Sequence, residues 1–124
     1  MPKDKIKIKW LDDSEEHDYP AAKSYLSLIF DESTADDFVE KLRKVPISEF
    51  KSKDIFRASG LSLLGISNEE VNKDQRKIES AVKLSPILLV RDFVHGKVII
   101  ADGYHRLCAI YSFDENALIL CKIV

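Results

Sequence analysis

Val98-Ile99-Ile100-Ala101-Asp102-Gly103-Tyr104-His105-Arg106-Leu107-Cys108-Ala109 joins a β-branched strand to the start of a helix through one glycine turn. Backbone N–H groups at a helix N-terminus lack intrahelical partners and sit at the positive end of the helix dipole, so an anion is stabilised there before any side chain acts. Arg106 would add a forked, charge-assisted pair and His105 a single donor. The segment therefore reads as a phosphate site on an α/β scaffold. Asp102, placed before glycine, reads as a carboxylate that organises its own turn. Tyr104 would either stack on a ligand base or cover the edge of the core.

Working outward, Ile87-Leu88-Leu89-Val90 is short, bounded and wholly apolar, which suits a strand buried on both faces. His95-Gly96 turns it into Lys97 to Ala101, giving a hairpin. A helix from His105 to about Phe113 and a strand from Leu118 to Val124 close the chain. Upstream, Ser67 or Asn68 can cap a helix over Glu69 to Lys83, with Val71, Ile78 and Val82 on its inner stripe. Lys77 and Ser80, three apart, share an adjacent face. If that face borders the Gly103 turn, an ammonium and a hydroxyl join the guanidinium and imidazole.

The N-terminal part reads as an addition to this unit. Lys5 to Leu11 alternates lysine with apolar residues, the pattern of a lysine-protected edge strand. Asp12 to Tyr19 reads as an acidic loop, with His17 given no specific role. Pro20 starts a helix to Ile29. Ser33 or Thr34 caps a second helix, with acids in its first turn and Lys41, Arg43 and Lys44 in its last; Pro46 stops it. Ile47 to Gly65 reads as a short strand and an irregular connector.

The expected fold is α/β (α+β), a small mixed sheet flanked by helices, in one domain: residues 1–46 as addition and 47–124 as core. The chain has 124 residues, 19 basic and 21 acidic side chains and a net charge of -2, so nothing draws it globally to nucleic acid or an anionic membrane. No signal-peptide pattern or long apolar run appears, which places the chain in the cytoplasm as an expectation. Cys108 and Cys121 lack metal-type spacing and read as buried core thiols.

The stretch from Ile47 to the C-terminus resembles the ParB/sulfiredoxin-like superfamily domain. Gly103-Tyr104-His105-Arg106 is similar to the Gly-Cys-His-Arg turn of sulfiredoxins and to the Gly-Glu-Arg-Arg turn of ParB-type partition proteins, which holds the phosphates of CTP. Asp74 to Lys83 resembles the helix that places a Lys and a Ser on ATP. The resemblance implies nucleotide binding, a triphosphate or diphosphate with magnesium, by Arg57, Lys77, Ser80, Asp102, Gly103, Tyr104, His105 and Arg106. Tyr104 occupies the place of the sulfiredoxin cysteine, which argues against sulfinic acid reduction. No helix-turn-helix follows, so DNA binding is not supported. The turn also resembles the Asp-Gly-His-His-Arg turn of free serine kinases, which implies phosphotransfer or hydrolysis with Asp54 and Glu49 as candidate catalytic carboxylates and Asp102 as the metal partner. The alternative is a non-catalytic, ligand-gated interaction module with a protein partner, such as half of a toxin-antitoxin pair or a regulatory partner.

Overall fold

A computed structural model describes residues 7–63 and 68–124. Five helices surround a four-stranded mixed sheet: α1 (Asp18–Ile29), α2 (Glu32–Lys44), β1 (Ser48–Lys51), α3 (Ser52–Ser59), α4 (Glu69–Glu79), β2 (Ile87–Asp92), β3 (Lys97–Asp102), α5 (Tyr104–Phe113) and β4 (Leu118–Ile123). The strand order is β1-β4-β2-β3. β1 runs antiparallel to β4, β4 parallel to β2, and β2 antiparallel to β3.

Alternation along the strands builds a core on each face of this sheet. In β2, Ile87 and Leu89 join the cluster under α3, α4 and α5, while Leu88 and Val90 join Ala22, Leu26, Val39 and Leu42 of α1 and α2. A strand covered on both sides must be apolar at every position, which explains the uninterrupted run. Ile100 and Ala101 divide between the two faces in the same way. The N-terminal helices are thus one of three layers, sharing a core with β2 and β3.

Several boundaries differ from the sequence expectation. The cap of α2 is Asp31, whose side chain accepts from the Thr34 N–H at 2.7 Å, one turn earlier than Ser33 or Thr34 would have set it. The connector after β1 is helical, because Ser52 to Ser59 buries Ser52, Ile55 and Ser59 on one side and ends at Gly60 in the left-handed region (φ 69°). α4 is capped by Asn68 as expected but stops at Glu79; the chain turns through Ala81 (φ 59°), and Val82 is left half-exposed rather than inward. Residues 7–11 form no edge strand: only Trp10 bridges Leu84, in parallel, with Leu84 N–H donating to Lys9 and Leu11 N–H to Leu84, both at 2.8 Å. Lys5 and Ile6 lie outside the described residues. Ser67, the other candidate cap, and Gly65 also lie outside them.

Cys108 and Cys121 are fully buried, as expected of core thiols, and burial pushes the Cys121 thiol up to about 12. Among the described residues no helix is long and apolar enough to cross a membrane.

Candidate functional site

Antiparallel pairing puts the end of β3 beside the start of β2, and this corner of the sheet carries the site. Gly103 follows β3 with φ 111°, a conformation L side chains rarely adopt. A Cβ there would lie 2.3 Å from Ile87 Cγ2, so glycine is required by space as well as by backbone. The turn it allows opens α5 at Tyr104, and no side chain caps the helix.

A cleft of about 360 Å3 lies over this turn, lined by Asp102 to Arg106, by Asp74 and Lys77 of α4, and by Asp18 of α1. Six of the eight expected ligand residues line this one cleft: Asp102, Gly103, Tyr104, His105, Arg106 and, from a distant helix, Lys77.

Other expectations fall elsewhere. Ser80 is the C-cap of α4 and lines an adjacent open groove with Lys73 and Arg76; Lys77 borders both. Arg57 is exposed on α3, 3.8 Å from Asp54 in an intrahelical ion pair, and neither residue is in the cleft lining. Asp54 instead borders a small apolar cavity with Phe50 and Ile123. Glu49 sits on β1, paired with Leu120 at the far side of the sheet from β3, also outside the cleft lining. The helix that replaces the expected irregular connector carries Asp54 and Arg57 outside the cleft lining, as β1 does Glu49.

The sequence reading missed Asp18. It had assigned Asp18 to an acidic loop, but it is the first residue of α1 and nearly all of its side chain is buried. Arg106 Nη2 donates to Asp102 Oδ2 at 2.8 Å, and Nη1 reaches Asp18 Oδ2 at 3.4 Å. Ser85 Oγ donates to the same Asp18 oxygen and accepts from the Glu15 N–H at 2.9 Å. His17, given no role from sequence, also lines the cleft, with Nε2 3.3 Å from Asp18 Oδ1. The signal that could have located Asp18 is an acid two residues before Pro20, where it becomes a helix-first-turn carboxylate.

Arg106 is therefore already bracketed by two carboxylates, and the charge balance of the cleft follows from that. Burial raises the Asp102 carboxyl to about 6; Arg106 pulls it down and Asp18 pushes it up. Burial likewise raises Asp74, against the pull of Lys77, Arg106 and His105. The Lys77 ammonium stands 3.9 Å from Asp74, too far for a tight pair, and remains half-exposed. No family model, curated protein or solved structure matches the chain. The cleft offers backbone donors at α5, the ammonium groups of Lys77 and Lys83, the imidazoles of His17 and His105, and carboxylates that hold Arg106 in place.

Magnesium is the metal the sequence reading expected. Among the described residues no group of three or more His, Cys, Asp or Glu side chains could hold a metal ion. Magnesium is commonly held by one or two carboxylates together with substrate phosphates and water. Asp74 and Asp102 fit that second arrangement, since both line the cleft, although Asp102 Oδ2 is already bonded to Arg106.

Proposed function

We propose that the cleft at the Gly103 turn binds a nucleotide triphosphate or diphosphate, or a similar phosphate-bearing small molecule, with magnesium, on a ParB/sulfiredoxin-like scaffold. One observation carries this reading. The glycine turn that opens α5 faces the same cleft into which α4 brings Lys77, so uncapped N–H groups, an ammonium and His105 converge from elements distant in sequence. Arg106 supports the turn from below through its bonds to Asp18 and Asp102 rather than acting as a free receptor. Magnesium, when bound, would neutralise phosphate charge beside Asp74 and Asp102.

Under the enzymatic form of this reading, hydrolysis or phosphotransfer, the base comes from the cleft itself, because a general base must reach the proton it removes. Asp74 is the buried carboxylate of the cleft that is not bonded to Arg106. The non-catalytic form, a ligand-gated interaction module, is favoured by the fact that Asp18 and Asp102 are both engaged with Arg106. The experiment is a thermal shift series with ATP, CTP, GTP, UTP and inorganic tripolyphosphate, each with and without magnesium, followed by product analysis of any that binds. A ligand at a hundred times its Kd stabilises by about 2.7 kcal/mol. Lys77→Ala should remove most of the shift and change the unliganded melting temperature little, because Lys77 is half-exposed and its ion pair with the buried Asp74 is long, at 3.9 Å. Absence of a shift with every probe would end the nucleotide reading; a shift without product selects the module.

A further inference from the structure

The cleft does not end at the Gly103 turn. A second chamber of about 410 Å3 lies on its other side, walled by Ala21 and Tyr25 of α1, by Leu61 and by Ile100 and Ala101 of β3. Asp102, Gly103, Tyr104 and His105 line both chambers, so the turn forms a saddle between them. The two differ in chemistry. Lys77, Lys83 and Arg106 lie in the first, whereas among the described residues no lysine or arginine lines the second. Its walls leave apolar surface to water: Tyr25 is 43% and Leu61 46% exposed.

The wall nearest the saddle is held by a direct bond. The Tyr104 hydroxyl donates to the Ser62 carbonyl, which ties the segment after α3 to the first residue of α5. The Tyr104 and His105 rings are 5.6 Å apart, inclined at 55°, so two flat side chains stand at the crossing point.

We propose that the second chamber receives the planar, uncharged ring of the same ligand whose phosphates meet the Gly103 turn. The inference rests on the nucleotide reading above and assigns the base end of that ligand to Tyr25, Leu61 and Tyr104. Continuity across the saddle supports it, since a molecule that crosses the turn has its anionic end among the cations and its other end among aromatic and aliphatic walls. Each chamber alone is within the usual span of ~300–1,000 Å3 for small-molecule sites, and together they still are. Aromatic walls favour a π-faced group over a flexible aliphatic chain, because stacking onto a tyrosine ring needs little ordering of the side chain. On this account α1 belongs to the binding site, with Asp18 on one side of the saddle and Tyr25 on the other.

The test compares ligands with the same phosphate chain, with and without a ring, by calorimetric titration in magnesium: ATP and CTP against inorganic tripolyphosphate. Wild type should bind at least one of the nucleotides about tenfold or more tightly than tripolyphosphate, the scale of one stacked base. Tyr25→Ala should bring that nucleotide close to tripolyphosphate and leave tripolyphosphate itself unaffected; Leu61→Ala provides an independent second variant on another wall. Equal binding of nucleotide and tripolyphosphate by wild type, or an unchanged preference in both variants, overturns the ring site while leaving the phosphate site standing. If no probe binds, both fall together.

Discussion

Replacing Asp102 with asparagine should remove a pH effect that the wild-type chain carries. The Asp102 carboxyl is raised from its ordinary 3.8 to about 6, first by burial and then by Asp18, with Arg106 opposing. Between about pH 4 and 6 the folded chain therefore holds a proton that the unfolded chain has released, and stability declines as pH rises through that window. Two pH units correspond to about 3 kcal/mol at 1.36 kcal/mol per unit. The side chain is only 21% exposed, so solvent screening removes little of this. Asparagine has the shape and charge of the protonated acid, so Asp102→Asn should match wild type near pH 4 and exceed it by up to about 3 kcal/mol at pH 7. For a chain of this size that is a melting-temperature gain on the order of 10 °C. Asp74 is raised in the same direction, but it is present in both proteins and cancels from the difference. Urea denaturation followed by circular dichroism from pH 4 to 7.5 measures both curves. If they run parallel across the window, burial of the Asp102 charge is not what the fold works against, and the reasoning fails.

Three further substitutions probe the same corner and its support. Arg106→Ala leaves the Asp18 and Asp102 carboxylates facing each other without their cation, and breaking such a buried pair should cost about 3–5 kcal/mol in urea denaturation at pH 7; a cost under about 1 kcal/mol would remove Arg106 from its structural role. Gly103→Ala combines a positive φ with a Cβ 2.3 Å from Ile87, for an expected loss of about 3 kcal/mol or more, read as a melting-temperature fall; a neutral result would mean the turn has another conformation open to it. Lys122 is buried and donates to Asp13, to the Tyr19 hydroxyl and to the Arg43 carbonyl at 2.9–3.0 Å. Burial works against its charge, but the Tyr19 and Asp13 bonds outweigh it and hold its pKa above the ordinary value. Lys122→Ala should cost about 2–4 kcal/mol by chemical denaturation, from the orphaned Arg43 carbonyl and the loss of the cation beside Asp13, while the Tyr19 hydroxyl keeps its own bond to Asp13; wild-type stability in this variant would show that the N-terminal segment is held by other contacts.

The parts of the fold legible in the sequence were those where one local cause acts alone. Ile87 to Val90 reads as a doubly buried strand because no polar residue interrupts it, and Gly103 reads as a turn because the next residues begin a helix. The lower half of the chain was harder where causes compete. Ser52 to Ser59 carries only one short apolar stripe, so its helix depends on packing against β3 and α5 rather than on its own pattern. Ile78 is strongly apolar and fixes the rotation of α4, so Lys77 and Ser80 border one groove as their spacing implies. Only Lys77 also lines the cleft, since the helix ends one residue before Ser80, and periodicity says nothing about a left-handed Ala81. The place of Asp18 in a first helical turn is legible from Pro20, but its bonding is not: that involves Ser85 and Arg106, 67 and 88 residues away, and no local pattern encodes a bond of that range.

Charge arrangement ties the site to the kind of ligand it can hold. Five carboxylates line the first chamber, Glu15, Asp18, Glu70, Asp74 and Asp102, against the three cations Lys77, Lys83 and Arg106. Arg106 is nearly sheltered from solvent and engaged by two of the acids, so it contributes little free positive potential. A bare polyphosphate approaching such a cleft meets repulsion that the α5 N-terminus, Lys77 and Lys83 do not offset, since each is worth only a modest stabilisation at an exposed site. The same polyphosphate carrying a divalent cation presents less charge and brings a centre that carboxylates attract. The acids that make Arg106 a poor free receptor therefore make the cleft a better match for a metal-bearing ligand, and magnesium dependence is the sharper expectation of the two components of the nucleotide reading.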